Sequence, residues 1–117
     1  MKCEKLDVWK KAAALSAEIY QGLSTLKDYG FRDQLTRSGL SIPSNIAEGL
    51  ERMSEQEKVR FLDIARASGA ELKTQIYIGM KIRYIDPEKG RAWIREVEDI
   101  GKMITGLIIT IQKDTVS

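Results

Sequence analysis

The sequence predicts an all-α fold, an antiparallel up-down-up-down four-helix bundle, on three observations. Apolar residues recur at spacings of three and four rather than two. Only two prolines and no Asn-Gly or Asp-Gly hairpin signal interrupt the 117 residues. The helical segments are joined by short polar connections, which favour antiparallel neighbours. A chain of this length is expected to form one domain, 1–117, because typical domains run to roughly 100–150 residues.

The first helix is expected over about 7–25, with Asp7 as its N-cap and a stripe of Trp9, Ala12, Leu15, Ser16, Ile19, Leu23 and Leu26. Residues 27–30 supply a turn. The second helix, about 31–51, places Phe31, Leu35, Ser38, Ile42, Ile46 and Leu50 on one face. Pro43 in its middle removes an amide and frees the Gly39 carbonyl, so a kink or short break is expected there. Ser54 and Glu57 have the spacing of a capping box and open a third helix, about 55–84. Its stripe, Leu62, Ala65, Gly69, Leu72, Ile76 and Gly79, contains small residues that permit close helix approach. Asp86 followed by Pro87 reads as an N-cap with proline at the first helical position. The fourth helix, about 87–112, then carries Ile94, Val97, Gly101, Ile104, Ile108 and Ile111, and residues 113–117 are expected to form a short disordered tail.

This is more apolar surface than one bundle core needs. The third helix has a second line, Phe61, Ile64, Ser68, Gln75, Ile78, Ile82 and Ile85. The fourth has little polar face between Met103 and Ile111. Exposed, such residues form a patch that monomers avoid. Homo-oligomerisation through Phe61, Ile78, Ile82, Leu107 and Ile109 is therefore expected; the alternative is a broad core stripe with scattered surface apolar residues.

Composition excludes whole classes of chemistry. There is no His and a single cysteine, Cys3, so an intramolecular disulfide, the common zinc constellations and His-based nucleophile triads are all absent. The charged N-terminus shows no secretory signal, and the apolar run 103–111 is about half of the roughly 20 residues a membrane span requires. A cytoplasmic location without membrane attachment is expected. No cofactor is implied. The Ser24 and Lys27 pair fits a Ser-x-x-Lys spacing but lacks the partner motifs of that chemistry. Carboxylates two apart, such as Glu55 and Glu57, point to different helix faces and share no metal. The protein is therefore expected not to be an enzyme.

Nineteen Lys and Arg against seventeen Asp and Glu leave a formal charge of +2, too little to imply nucleic acid on its own. Most cations alternate with acids, as on an ordinary solvated surface. The cluster Lys81, Arg83, Lys89, Arg91 and Arg95 differs, because it brackets the connection between the third and fourth helices and converges at one end of a bundle. These five are candidate nucleic-acid contacts. Tyr84 and Trp93 beside them are candidates to stack on bases.

The most unusual stretch is 34–49, QLTRSGLSIPSNIAEG. It resembles the signature of the four-helix-bundle family of the ribosomal RNA intervening-sequence proteins. Residues 6–12 resemble that family's opening, and Phe61 to Ala65, Ser68, Glu71, Leu72 and the run 76–85 resemble its third helix. Gly39 and Gly69 depart from it, standing where bulkier residues are expected. The resemblance implies a ring-shaped homo-oligomer, most often a pentamer, over which five copies of +2 would make +10. A related branch, the accessory proteins of diversity-generating retroelements, works beside a reverse transcriptase and binds nucleic acid through a basic surface. The resemblance thus implies an RNA- or DNA-associated accessory or scaffold protein, with a protein partner such as a reverse transcriptase; a protein-interaction module without a nucleic-acid role is the alternative. Within the signature, Arg37, Ser41, Pro43, Ser44, Asn45 and Glu48 read as a structural motif, since local capping accounts for each polar group. The alternative is a polar constellation in which Asn45 and Glu48 meet Arg37, Arg60 or Arg66.

Overall fold

The computed structural model describes residues 6–116 and shows four helices: α1 (Asp7–Gly22), α2 (Tyr29–Leu50), α3 (Glu55–Lys81) and α4 (Pro87–Val116). Cys3 lies outside the described residues, as does Ser117 of the expected tail; the rest of that tail continues α4 to Val116. The 30 residues of α4 span about 45 Å at 1.5 Å per residue, close to the 50 Å long axis of the molecule. Each helix packs against the two that neighbour it around a square, and the diagonal pairs do not meet. The α2–α3 seam is the most extensive and α1–α4 the least.

The helix ends follow local chemistry. Asp7 is not the N-cap of α1: Leu6 holds that position without a side-chain bond, and Asp7 sits in the first turn, where its charge still favours the helix dipole. Asp28 caps α2 instead, accepting from the Phe31 amide at 3.2 Å, so α2 starts two residues earlier than the apolar pattern suggests. Ser54 caps α3 as expected, accepting from the Glu57 amide at 3.1 Å. The Glu57 carboxylate turns to Arg60. Asp86 caps α4 by accepting from the Lys89 amide at 3.1 Å. Pro43 does not break α2, which runs through it without interruption.

α3 ends at Lys81, short of Tyr84, for a specific reason. Arg83 adopts a left-handed conformation with φ of 65°, its N–H bonds to the Met80 carbonyl at 3.2 Å and the Tyr84 N–H reaches back to Gly79 at 2.9 Å. This is the Schellman pattern that satisfies terminal carbonyls, here with arginine where glycine is usual. The chain then turns Ile85 back onto Gly79, where a β-carbon would lie 2.5 Å from the isoleucine methyl.

The core is drawn from one stripe of each helix: Val8, Leu15 and Ile19 of α1, Leu35, Ile42 and Ile46 of α2, Leu62, Leu72 and Ile76 of α3, and Trp93, Val97, Ile100 and Ile104 of α4. Trp93 and Ile100 lie outside the expected α4 stripe yet are among the most buried residues. The glycines separate into two kinds. A β-carbon on Gly49 would stand 3.1 Å from the Lys58 carbonyl and the Phe61 β-carbon, whereas Gly101 has open space around it. Gly49→Ala is therefore expected to destabilise the fold by about 1–3 kcal/mol through overpacking. Gly101→Ala is expected to stabilise it by about 0.5–1 kcal/mol through helix propensity. Denaturant titration of the two variants checks both signs.

Candidate nucleic-acid interface

One end of the bundle is built by two connections tied to each other. Asp28, the cap of α2, also accepts from the Tyr84 hydroxyl at 3.0 Å, and the Tyr84 ring meets Phe31 edge to face with centroids 5.5 Å apart. Trp93 of α4 packs so closely on Gly22 of α1 that a β-carbon there would sit 2.9 Å from the indole. Met80 and Ile85 cover Gly90 in the same way. The α1–α2 and α3–α4 connections thus form a single end surface.

Lys81, Arg83, Lys89, Arg91 and Arg95 are all exposed and flank this end. None of the five makes an ion pair among the described residues. The contrast with the bundle body is chemical. There Lys11 meets Glu96 at 3.3 Å, Arg52 meets Glu48 at 3.4 Å, Arg60 meets Glu57 at 3.1 Å, Arg66 meets Asp63 at 2.6 Å and Lys73 meets Glu98 at 3.0 Å. The Glu98 contact holds the Lys73 ammonium above its ordinary range. At the end, Asp86 is engaged as a helix cap and Glu88 in the first turn of α4 makes no ion pair among the described residues, leaving the cations for solvent or a ligand. Lys89 alone has an internal contact, over the Trp93 ring at 5.8 Å.

Trp93 is not available to stack on bases. It is 2% exposed, and its indole N–H has no hydrogen-bond partner among the described residues. Tyr84 is exposed, with its ring edge held by Phe31 and its hydroxyl by Asp28. Tyr77, not singled out by the sequence pattern, is the more exposed ring on α3.

The signature stretch is resolved into separate bonds rather than one constellation. Asn45 donates to the Ser41 carbonyl and hydroxyl at 2.8 and 2.9 Å. Ser41 shares a hydrogen bond of 2.8 Å with Ser68 across the α2–α3 seam. Ser38 donates to Glu71 at 2.9 Å. Glu48 goes to Arg52, while Arg60 and Arg66 pair within α3, so neither joins Asn45. Pro43 is buried, and Arg37 and Ser44 are exposed without a side-chain partner among the described residues.

Arg37 and Ser44 open instead onto the α1–α2 seam, which the sequence pattern did not single out. Ser44 lines a groove of about 420 Å³ with Trp9, Ala13, Ala17, Tyr20, Leu40, Pro43 and Ala47. Arg37 lines a second cavity, also about 420 Å³, with Tyr20, Ser24, Arg32, Asp33 and Thr36. The small residues Ala13, Ser16 and Ala17 along α1 were the available signal. Of the residues expected at an oligomer interface, Ile78, Ile82 and Ile109 are 47–49% exposed. Phe61 and Leu107 are half-buried, and the Phe61 ring lies beneath the guanidinium groups of Arg52 at 4.6 Å and Arg60 at 5.3 Å. Among the described residues, no helix is long and apolar enough to cross a membrane and no acidic or sulfur cluster could hold a metal ion.

The bond between the two connections has a titration signature. Accepting the hydroxyl proton, Asp28 stabilises the neutral phenol and holds the Tyr84 pKa above its ordinary value near 10. Because the folded value is raised, the contribution to stability is present at neutral pH and lost as pH rises through the Tyr84 ionisation. Asp28→Asn retains a capping oxygen and is expected to return the Tyr84 titration toward its ordinary range. Ultraviolet difference absorbance of the phenolate, read in the folded protein, checks this.

The chain was compared with known families, curated proteins and solved structures. The family described as 23S rRNA-intervening sequence protein matches residues 4–106. No curated protein matches. A crystal structure of a protein of unknown function from the S23 ribosomal protein family of Bacteroides thetaiotaomicron is similar, at 25% identity and a TM-score of 0.81, covering 86% of this chain and 97% of that chain. With the family match extending from before α1 through the first two thirds of α4, the chain belongs to the 23S rRNA-intervening sequence protein family.

Proposed function

We propose that the protein is a non-enzymatic, cytoplasmic accessory or scaffold protein that associates with RNA or DNA as a homo-oligomer. The observation that carries this reading is that five exposed cations, none of them in an ion pair among the described residues, flank one end of the bundle. Such cations release counterions from a phosphate backbone on contact, which favours binding in a salt-dependent way. The family's name, which refers to an intervening sequence of 23S rRNA, is consistent with a nucleic-acid setting.

Arg83 sharpens the argument. A left-handed backbone costs a non-glycine residue about 1 kcal/mol or more, and glycine would complete the same Schellman turn without that strain. An arginine kept there aims a cation off the end of the bundle at the expense of stability. Arg83→Gly is therefore expected to stabilise the fold by about 0.5–1 kcal/mol while weakening nucleic-acid binding and lowering the salt slope by about one unit. Thermal unfolding beside binding titrations over a range of salt checks the opposed effects. Nucleic-acid affinity that is absent at low ionic strength overturns the reading.

Oligomerisation is supported by two separate apolar surfaces. The α1–α2 groove is concave along Trp9, Ala13, Leu40 and Ala47, and Ile78 on α3, Ile82 just after it and Ile109 on α4 are exposed elsewhere. Different surfaces that meet head to tail close into a ring when the rotation permits; the family resemblance points to five copies. Ile109→Asp is expected to leave the chain folded, since the side chain is half exposed, but to reduce the mass measured by light scattering from that of the oligomer toward that of one subunit. The alternative, a module that binds another polypeptide such as a reverse transcriptase, is favoured by the same groove. Capture of one stoichiometric protein partner after nuclease treatment would support it.

A further inference from the structure

Arg37 is the one charged member of the signature motif that the fold leaves uncommitted. Ser41, Asn45 and Glu48 are bonded within the bundle, and Pro43 is buried. Even the carboxylate one turn before Arg37, Asp33, turns away to Arg32 at 4.0 Å, and the Arg32 guanidinium is itself drawn over the Tyr29 ring at 4.7 Å. Arg37 faces a cavity of about 420 Å³ whose other walls are Tyr20, Ser24, Arg32, Asp33 and Thr36. That volume falls within the range of about 300–1,000 Å³ usual for small-molecule sites.

The walls divide chemically. The two guanidiniums offer the planar forks that grip phosphate oxygens. Tyr20 presents a ring, 48% exposed, that has no aromatic or hydrogen-bond partner among the described residues. Asp33 repels a phosphate placed beside it and accepts from amino or hydroxyl groups, so it belongs to the base or sugar side of a ligand. One wall of the cavity lies next to the cationic end: Asp28 and Phe31, just before Arg32 on the chain, contact Tyr84 next to Arg83.

The geometry points to a nucleotide pocket between α1 and α2, in which Arg37 grips a phosphate and Tyr20 stacks an unpaired base. It deepens the nucleic-acid reading above and rests on it. Stacking on Tyr20 needs a base whose face is free, which a duplex does not offer along its length, so the polymer it takes is single-stranded; a free mononucleotide has the same chemistry. Ser24 and Thr36 supply hydroxyls to the wall, although Thr36 already donates to the Arg32 and Asp33 carbonyls.

Anisotropy titrations of the full chain with a short labelled single-stranded RNA and with a duplex, together with equilibrium dialysis against 5′-AMP, test the pocket. Arg37→Gln and Tyr20→Leu are expected to weaken single-strand binding about fivefold or more and to leave duplex binding unchanged, with Tyr20→Phe behaving as wild type. Arg91→Gln, outside the pocket, is expected to weaken both polymers. Single-strand affinity unaltered in Arg37→Gln and Tyr20→Leu overturns the pocket while leaving the wider nucleic-acid reading intact. Where the wild type binds neither polymer, that wider reading falls; saturable 5′-AMP binding lost in Arg37→Gln then retains the pocket with free nucleotide as its ligand, and no 5′-AMP binding overturns it as well.

Discussion

Where α2 crosses α3, a methyl group on the Gly49 α-carbon would press on both the Lys58 carbonyl and the Phe61 β-carbon, so the two helices can approach this closely only with hydrogen in that place. The same seam carries the Ser41–Ser68 and Ser38–Glu71 hydrogen bonds and is the most extensive in the bundle. Buried hydroxyls must find partners, and here they find them across the seam, which sets the register of α2 on α3. Once α2 and α3 are in register, the Leu35, Ile42, Ile46 stripe meets Leu62, Leu72 and Ile76, and α4 closes on the other side of α3 through Val97 and Ile104. α1 is held less extensively, and the seam between α1 and α2 is where the apolar groove and the Arg37 cavity open.

Charge is arranged by the same economy. Along the body, Lys11, Arg52, Arg60, Arg66 and Lys73 lie within reach of carboxylates on the same or a neighbouring segment, and these exposed pairs contribute little stability each. At the α3–α4 connection Asp86 is engaged in capping a helix, and the five cations around it make no ion pair among the described residues. Arg83 shows the tension most clearly. Its backbone conformation is one glycine adopts without strain, and the turn that imposes it is what returns Ile85 to the core against Gly79. Structure and surface chemistry make opposed demands on one residue.

Much of the fold was legible because helical periodicity and caps are local. Ser54 and Asp86 were readable as caps because each sits just before a periodic apolar run, with an acid or proline behind it. Asp28 was not, since Tyr29 and Gly30 read as turn and the apolar stripe resumes only at Phe31. Pro43 suggested a break that did not occur: tertiary packing against a buried proline outweighs the lost backbone bond. Trp93 falls off the apolar stripe and stands by sequence as a candidate to stack on bases, yet α1 ends in a glycine at the height of the indole and makes room for it. The five-cation cluster was legible as a sequence neighbourhood, but that its members make no ion pair depends on which acids lie nearby in space.

The sequence by itself determined the helices, their order, the composition of the core and the membership of a family, because hydrophobic spacing, caps and a sixteen-residue signature from Gln34 to Gly49 are properties of the chain read in one dimension. Only the tertiary structure decided which polar side chains are used up and which are free. Ser41, Asn45 and Glu48 share one signature with Arg37, and nothing in their spacing separates them. They differ because Ser41 meets Ser68 of α3, while Asn45 and Glu48 find partners one turn away at Ser41 and Arg52, and Arg37, on the side lining the cavity with α1, meets none among the described residues. Burial and pairing are relations between segments distant in the chain, and a local pattern cannot state them.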